Sequence, residues 1–376
     1  MMSPLRSSAT GILLAGLLFA LPVPILKHAP KAEYFLYAGS KSRQGIYLYK
    51  FNAVTPSLTA AGNEGGLAAT LSGVTALAPH PGNRFLYAAT SPGVTSASSI
   101  AGFAIHPETG ALRLLNSAES ARKEACSVSV EKKGWMLLVS YCGSGSIESF
   151  RVAGDGGVGE STGVQQHEGA GAHPHGVDIS PDNFFLFSAD LDKVFQYRFD
   201  PARAIFWPND PAAAAMKTGA HATSMAFRPD EKFVYVADET GSTLSTFNYD
   251  REKGTLKLLD SVSTLPGSAG AIEIDSAGRF LYVGNLIDNS ISVLAIDRKK
   301  GTLTKAGRVP AEGKTPVALR IDPTGRFLFV ANQGSGRIVV FQINPKNGLL
   351  TPAALSIDLP DPTCFQFVPV PGDSIH

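Results

Sequence analysis

One short apolar run recurs along the chain: FLYAGS from Phe35, FLYAAT from Phe85, MLLVSY from Met136, FLFSAD from Phe185, FVYVAD from Phe233, FLYVGN from Phe280 and FLFVAN from Phe327. Successive runs start 50, 51, 49, 48, 47 and 47 residues apart. Most follow a polar turn such as PHPGNR, SPDNF, RPDEK, DSAGR or DPTGR, and lead through a second polar turn into an alternating stretch such as STLSTFNYD, NSISVLAID or GRIVVFQIN. A continuous apolar run bounded by turns reads as a fully buried strand, and the alternating stretch as a half-buried one. Each unit therefore supplies about four short strands, and no segment with sustained helical periodicity or helix caps competes. Four strands per unit of roughly 40 to 50 residues is the pattern of a propeller blade. The chain is predicted to be an all-β, seven-bladed β-propeller with four-stranded antiparallel blades. It lacks WD and kelch signatures, so it belongs to another propeller class.

The later units carry an inner strand before the turn, as in TSMAFRP (Thr223–Pro229) and VALRIDP (Val317–Pro323). The inner strand of the first unit would fall within residues 1–32, which have a different character. Arg6 is followed by an apolar stretch from Gly11 to Leu21 that continues to Leu26, a length that suits a signal peptide and is short for a membrane span. We expect residues 1–32 to be an export signal, or an N-terminal anchor if uncleaved, because Pro30 sits where a cut after Ala32 would want a small residue. The propeller then spans 33–376 and lies in the periplasm or outside the cell. The first blade is completed from the other end of the chain: TCFQFVP (Thr363–Pro369) overlays TSMAFRP, so the last strand closes the ring and leaves no open edge.

Charged residues are 17% of the chain, the net charge is +1, and Lys and Arg occur in no run longer than pairs such as Lys132-Lys133. That excludes the electrostatic footprint of a nucleic-acid binder. The 38 glycines and 25 prolines are scattered, as many tight turns between short strands require.

Inner and second strands of a blade run antiparallel, so the start of one and the end of the other share a face of the ring. Ten residues before each repeated Phe or Met lie Thr75, Cys126, His175, Thr223, Gly270 and Val317; six after lie Lys41, Ser91, Cys142, Leu191, Glu239, Leu286 and Gln333. One rim thus gathers His175 and Glu239, with His173 two residues before the histidine and Asp190 and Asp192 on the partner strand. A His-Pro-His turn can simply cap a strand, but a rim shared with a glutamate, in a fold whose ligands sit at the channel mouth, makes His175 a candidate for chemistry. His173 and His175 alone do not make a zinc site, since no third His or Cys lies at ligand spacing, and no metal or other cofactor is expected. Cys126 and Cys142 face each other across one hairpin at a distance a disulfide can span in an oxidising compartment. Cys364 would stay unpaired, as a small buried hydrophobe.

The segments HPETGALRLL, AHPHGVDISPDNFFLFSADLDKVFQYRFD, RPDEKFVYVADETGSTLSTFNYD, IDSAGRFLYVGNLIDNSISVLAID and IDPTGRFLFVANQGSGRIVVFQIN resemble, in order and spacing, the blades of the seven-bladed lactonase family, which includes cycloisomerase-type 6-phosphogluconolactonases and fungal carboxy-muconate cyclases. The resemblance implies a metal-free site on one face, with a histidine at His175, a glutamate at Glu239 and several arginines. The arginines are missing: the family's Pro-Arg-His is Ala222-Thr223-Ser224 here, and its two Asp-Arg pairs are Asn285-Leu286 and Asp192-Lys193. A phosphorylated lactone wants the planar fork of arginine, which neither Thr nor Leu imitates. We therefore expect a monomeric lactonase-like hydrolase in which His175 or Glu239 activates a water, His being the better base near neutrality, while Lys193 or backbone N–H groups stabilise the oxyanion. His173, Asp190, Asp192, Thr223 and Ser224 would contact the substrate. The rival is a non-catalytic propeller that binds a glycan, peptide or partner protein. A lactonase should show a concave pocket where His175, Glu239 and a cation converge, and a binder a flat or apolar rim around Leu191, Leu286 and Val317.

Overall fold

The computed structural model describes residues 33–42, 45–93, 96–169, 171–263 and 267–371; the segment 1–32, assigned above to export or anchoring, lies outside them. Among the described residues no helix is long and apolar enough to cross a membrane.

Every repeated apolar run is the second strand of a blade, and nearly all its side chains are buried on both faces. That is why these runs are continuous and not alternating: each second strand is packed between the blades on either side. Outer strands such as Leu112–Lys123 and Leu303–Pro310 alternate or are exposed, as the rim of a ring requires. The described residues form seven antiparallel sheets, six of four strands; in the first, Leu67–Ala69 also pairs with the third strand, Gly45–Asn52. Pro362–Pro369 pairs antiparallel with Glu33–Ser40 and is the inner strand of blade 1, so the ring is closed by the two ends of the propeller. In blade 4 the regular inner strand shrinks to Asp178–Ile179. The Gly176 carbonyl is taken by the Ser188 hydroxyl at 2.7 Å, whereas the proline is not the cause, since Pro316 at the position equivalent to Pro174 starts a full inner strand in blade 7. His175, expected to start that strand, therefore stands in the loop above it.

The core consists of seven apolar clusters, each shared by two neighbouring blades. The first residue of each repeated run is a wedge. Phe35, Phe85, Phe185, Phe233 and Phe280 press against Gly110, Gly156, Gly254, Gly301 and Gly348, glycines of positive φ in the outer hairpin turn of the next blade. The third residue adds a hydrogen bond where it is tyrosine. The hydroxyls of Tyr37, Tyr87, Tyr235 and Tyr282 donate to the carbonyls of Gly110, Gly156, Gly301 and Gly348 at 2.6–3.0 Å. Between blades 3 and 4 the wedge is the more adaptable Met136, and the turn residue there is Ala204, buried, with φ 55°.

The inner strands line a central channel that holds Asp178, Glu273 and Arg320 around about 390 Å³ of space. Arg320 lies 3.6 Å from Glu273. Burial pushes the Asp178 carboxyl up to about 7, with Arg320 opposing, and raises Glu273 in the same way.

Two predictions follow from the joints and the channel. Gly110→Ala places a Cβ 2.7 Å from the Phe35 ring at φ 72°, so it should cost about 2–4 kcal/mol from overpacking and left-handed strain together, read from denaturant unfolding. Asp178 stays protonated in the fold up to about pH 7, whereas the unfolded chain ionises near the ordinary 3.8. The fold thus loses stability as pH rises between those values and keeps the full penalty above. Asp178→Asn should raise the Tm at pH 8 by more than at pH 4; equal shifts at both would show that the carboxyl ionises freely in the fold.

Candidate functional site

At one mouth of the channel all seven blades contribute to a single cavity of about 480 Å³. From the inner strands come Thr75, Cys126, Thr223, Gly270 and Val317, with His175 in its loop and Thr363 on the closing strand. From the ends of the second strands come Lys41, Glu239, Leu286 and Gln333, and Ser224 and Ala271 complete the wall. The rim positions read from the repeat are therefore neighbours in space, except that Ser91, Cys142 and Leu191 do not line this cavity. Leu286 and Val317 do, but within a concave wall and not a flat apolar rim.

Two aspartates in equivalent positions of the repeat hold the rim backbone. Asp190, last in FLFSAD, is buried; its carboxylate accepts the backbone N–H of His173 at 2.7 Å and pairs with His167 Nδ1 at 2.6 Å, while the Tyr197 hydroxyl meets His167 Nε2 at 2.8 Å. Asp238, last in FVYVAD, accepts the backbone N–H of His221 at 2.8 Å and of Gly241 at 3.0 Å, and the Thr243 hydroxyl at 3.1 Å. The next residue, Glu239, bonds through its own N–H to the His221 carbonyl at 2.9 Å and turns its side chain into the cavity. Asp190 thus faces into the blade, and Asp192 and Lys193 lie off the cavity wall, so the lining cation is Lys41 and not Lys193. Thr223 and Ser224 do line the wall; their hydroxyls reach the sixth blade, at Ala269 O (3.2 Å) and Ile272 N (3.4 Å).

His173 Nδ1 and His175 Nε2 are 3.0 Å apart, one ring donating to the other. Burial, reinforced by the neighbouring His173 and His221 and opposed by Asp190, holds the His175 imidazole down to about 4. The ring is neutral at neutral pH but has lost the advantage as a base that an ordinary histidine has there. His221, on the next blade, stands two residues before the rim position Thr223 and so falls outside both offsets counted from the repeat. Its Nδ1 lies 3.7 Å from Glu239 Oε2, and ligand atoms of His175, His221 and Glu239 all fall within 4.8 Å of one another. His221 thus brings a third imidazole beside His173 and His175 in space, which spacing along the chain does not show. A second cavity of about 740 Å³ opens on the other side of Glu239 and His221, where Arg308 is bound to Asp288 and to the Ser290 hydroxyl.

Cys126 and Cys142 form a disulfide with their Cα atoms 5.9 Å apart. Cys364 is free, and burial pushes its thiol up to about 11, the wrong direction for a nucleophile.

Comparison with known proteins agrees with this architecture. The chain is 27% identical over 246 residues to a 6-phosphogluconolactonase of Bacillus subtilis (strain 168), covering 62% of this chain and 68% of that one. A periplasmic gluconolactonase of Pseudomonas aeruginosa superposes with a TM-score of 0.83 at 27% identity, over 90% of this chain and 100% of that one. A Lactobacillus plantarum protein superposes with a TM-score of 0.80 at 25% identity, over 89% and 99%. The family model described as "Lactonase, 7-bladed beta-propeller" matches residues 35–367, and with the closed seven-bladed ring and the His175–Glu239 rim in place, the chain belongs to that seven-bladed β-propeller lactonase family.

Proposed function

We propose that this protein hydrolyses an unphosphorylated sugar lactone in the seven-blade cavity, with Glu239 and His175 sharing one water. The observation that carries this is their spacing. Their polar atoms lie within 4.8 Å, and a water about 2.8 Å from each can bridge up to about 5.6 Å. Glu239 serves as the general base, its carboxylate opening into the cavity, and His175 stays neutral at neutral pH. His175 fixes the water by a hydrogen bond. The water oxygen attacks the lactone carbonyl, Lys41 offsets the charge on the oxyanion, and collapse breaks the ring C–O bond. The alkoxide that leaves takes the proton held by Glu239, giving the open hydroxy acid.

Lys41 is the one cation lining the cavity among the described residues, and no arginine lines it. A phosphate dianion would lack a bidentate partner there, whereas the hydroxyls of Thr75, Thr223, Ser224 and Thr363 and the amide of Gln333 match the hydroxyls of a neutral sugar. The likeness to a periplasmic gluconolactonase and the disulfide at the rim support a reaction outside the cytosol.

The test is acid release from gluconolactone and from its 6-phosphate by the purified protein. The neutral lactone should be turned over with the higher kcat/KM, and Glu239→Gln and His175→Ala should each lower it by about 100-fold or more at unchanged Tm. Wild-type rates in both variants would remove Glu239 and His175 from the mechanism, and a preference for the phosphate would refute the neutral substrate.

A further inference from the structure

The lactone reading uses two side chains of a larger group. Three imidazoles and a carboxylate converge on the rim between blades 4 and 5. The ring centroids of His173, His175 and His221 are 4.6, 5.6 and 5.9 Å apart, and Glu239 stands beside His221. Around a tetrahedral ion with metal–nitrogen distances of about 2.0–2.1 Å, neighbouring ligand atoms are separated by about 3.3 Å. The His173–His175 nitrogen pair, at 3.0 Å, is the hydrogen bond described above, and the His221–Glu239 pair, at 3.7 Å, is near that ligand spacing. The second pair is too far apart for a good hydrogen bond, so the two groups converge without satisfying each other. Ligand atoms of His175, His221 and Glu239 lie within 4.8 Å of one another, the two histidines and one carboxylate of a three-ligand zinc site.

The backbone beneath is fixed before any ion arrives. His173 N–H is held by Asp190, His221 N–H by Asp238, and Glu239 N–H by the His221 carbonyl. Cys142 Sγ also lies close to His173 and His175, but it is committed to the disulfide with Cys126 and offers no thiolate. Imidazole and carboxylate together suit a borderline ion and not calcium or magnesium, which take oxygen ligands.

We propose that His175, His221 and Glu239 bind one divalent transition-metal ion of the zinc class at this rim, with His173 hydrogen-bonded to His175 as its outer partner. The proposal does not rest on the lactone reading: the ion takes up the two side chains that hold the water there, so the metal-loaded and lactone-hydrolysing rims are alternative states.

The experiment is titration of chelator-treated, untagged full-length protein with Co²⁺ alone, followed by the visible absorption of four-coordinate cobalt, and then displacement by Zn²⁺. One Co²⁺ per chain should bind with that absorption, and stoichiometric Zn²⁺ should remove it. His221→Gln and Glu239→Gln, each checked for an unchanged circular dichroism spectrum, should weaken binding at least about 100-fold, since even outer partners of metal ligands are worth about 10- to 100-fold. His106→Ala, an exposed histidine on another blade, should change nothing. Absence of the absorption, binding unchanged in both rim variants, or equal loss in His106→Ala would each overturn the proposal. A protein that binds no metal yet hydrolyses lactones overturns this proposal alone; one that binds metal and, when metal-free, hydrolyses none overturns the lactone reading alone.

Discussion

The joint between blades is the contact on which everything else rests. A propeller blade cannot bury both faces of its second strand alone, so each depends on the wedge that its neighbour receives. Phe35, Phe85, Phe185, Phe233 and Phe280 each need a turn residue without a side chain one blade on, and the matching glycines sit at φ values between 67° and 87°. Four of the five, Gly110, Gly156, Gly301 and Gly348, also present a carbonyl to a tyrosine hydroxyl. One small residue thus serves three needs: a left-handed turn, room for an aromatic ring, and an acceptor for a buried phenol. Repeated around the ring, this fixes the rotation from one blade to the next, and so fixes where the rim residues of different blades meet.

That explains why the architecture was legible in the sequence. The wedge is the first residue of a six-residue run, so the repeat is written in the apolar pattern itself, and counting from Phe35 to Phe327 finds every blade. The rim could be counted from the same anchors: His175 and Glu239, 64 residues apart, line one cavity because each stands at a fixed offset from its own wedge. The closing strand, too, was found by overlaying Thr363–Pro369 on an inner strand.

What the pattern does not encode is where loops and long side chains go. His221 lies outside both offsets, in the loop before the fifth inner strand, and the hydrogen bonds from its N–H to Asp238 and from Glu239 N–H to its carbonyl bring it beside Glu239. Lys193 follows a turn that carries it off the cavity, while Lys41, from the far side of the ring, lines the wall. Asp190 has the offset of a near-rim residue but is satisfied by His167 and the His173 backbone, a pairing invisible without the fold. The short fourth inner strand is likewise not written in the repeat, since Pro316 at the position equivalent to Pro174 starts a full strand; in blade 4 the Ser188 hydroxyl takes the Gly176 carbonyl.

The rim is chemically lopsided, and that shape constrains how any substrate can lie. Titratable groups crowd blades 4 and 5, whereas blades 2, 6 and 7 offer Thr75, Gly270, Leu286, Val317 and Gln333. A ligand whose reactive carbon faces Glu239 must lay its remaining atoms across that neutral arc, where Leu286 and Val317 cover the carbon face of a ring and hydroxyl and amide groups meet its oxygens. Arg320 lies deeper, in the channel beside Glu273, and Arg308 is tied to Asp288 in the neighbouring cavity. Neither guanidinium is presented on the arc itself. The guanidinium forks that a phosphate would need are thus engaged within the protein, and among the described residues Lys41 is the cation left on the cavity wall, which supports the uncharged lactone proposed above.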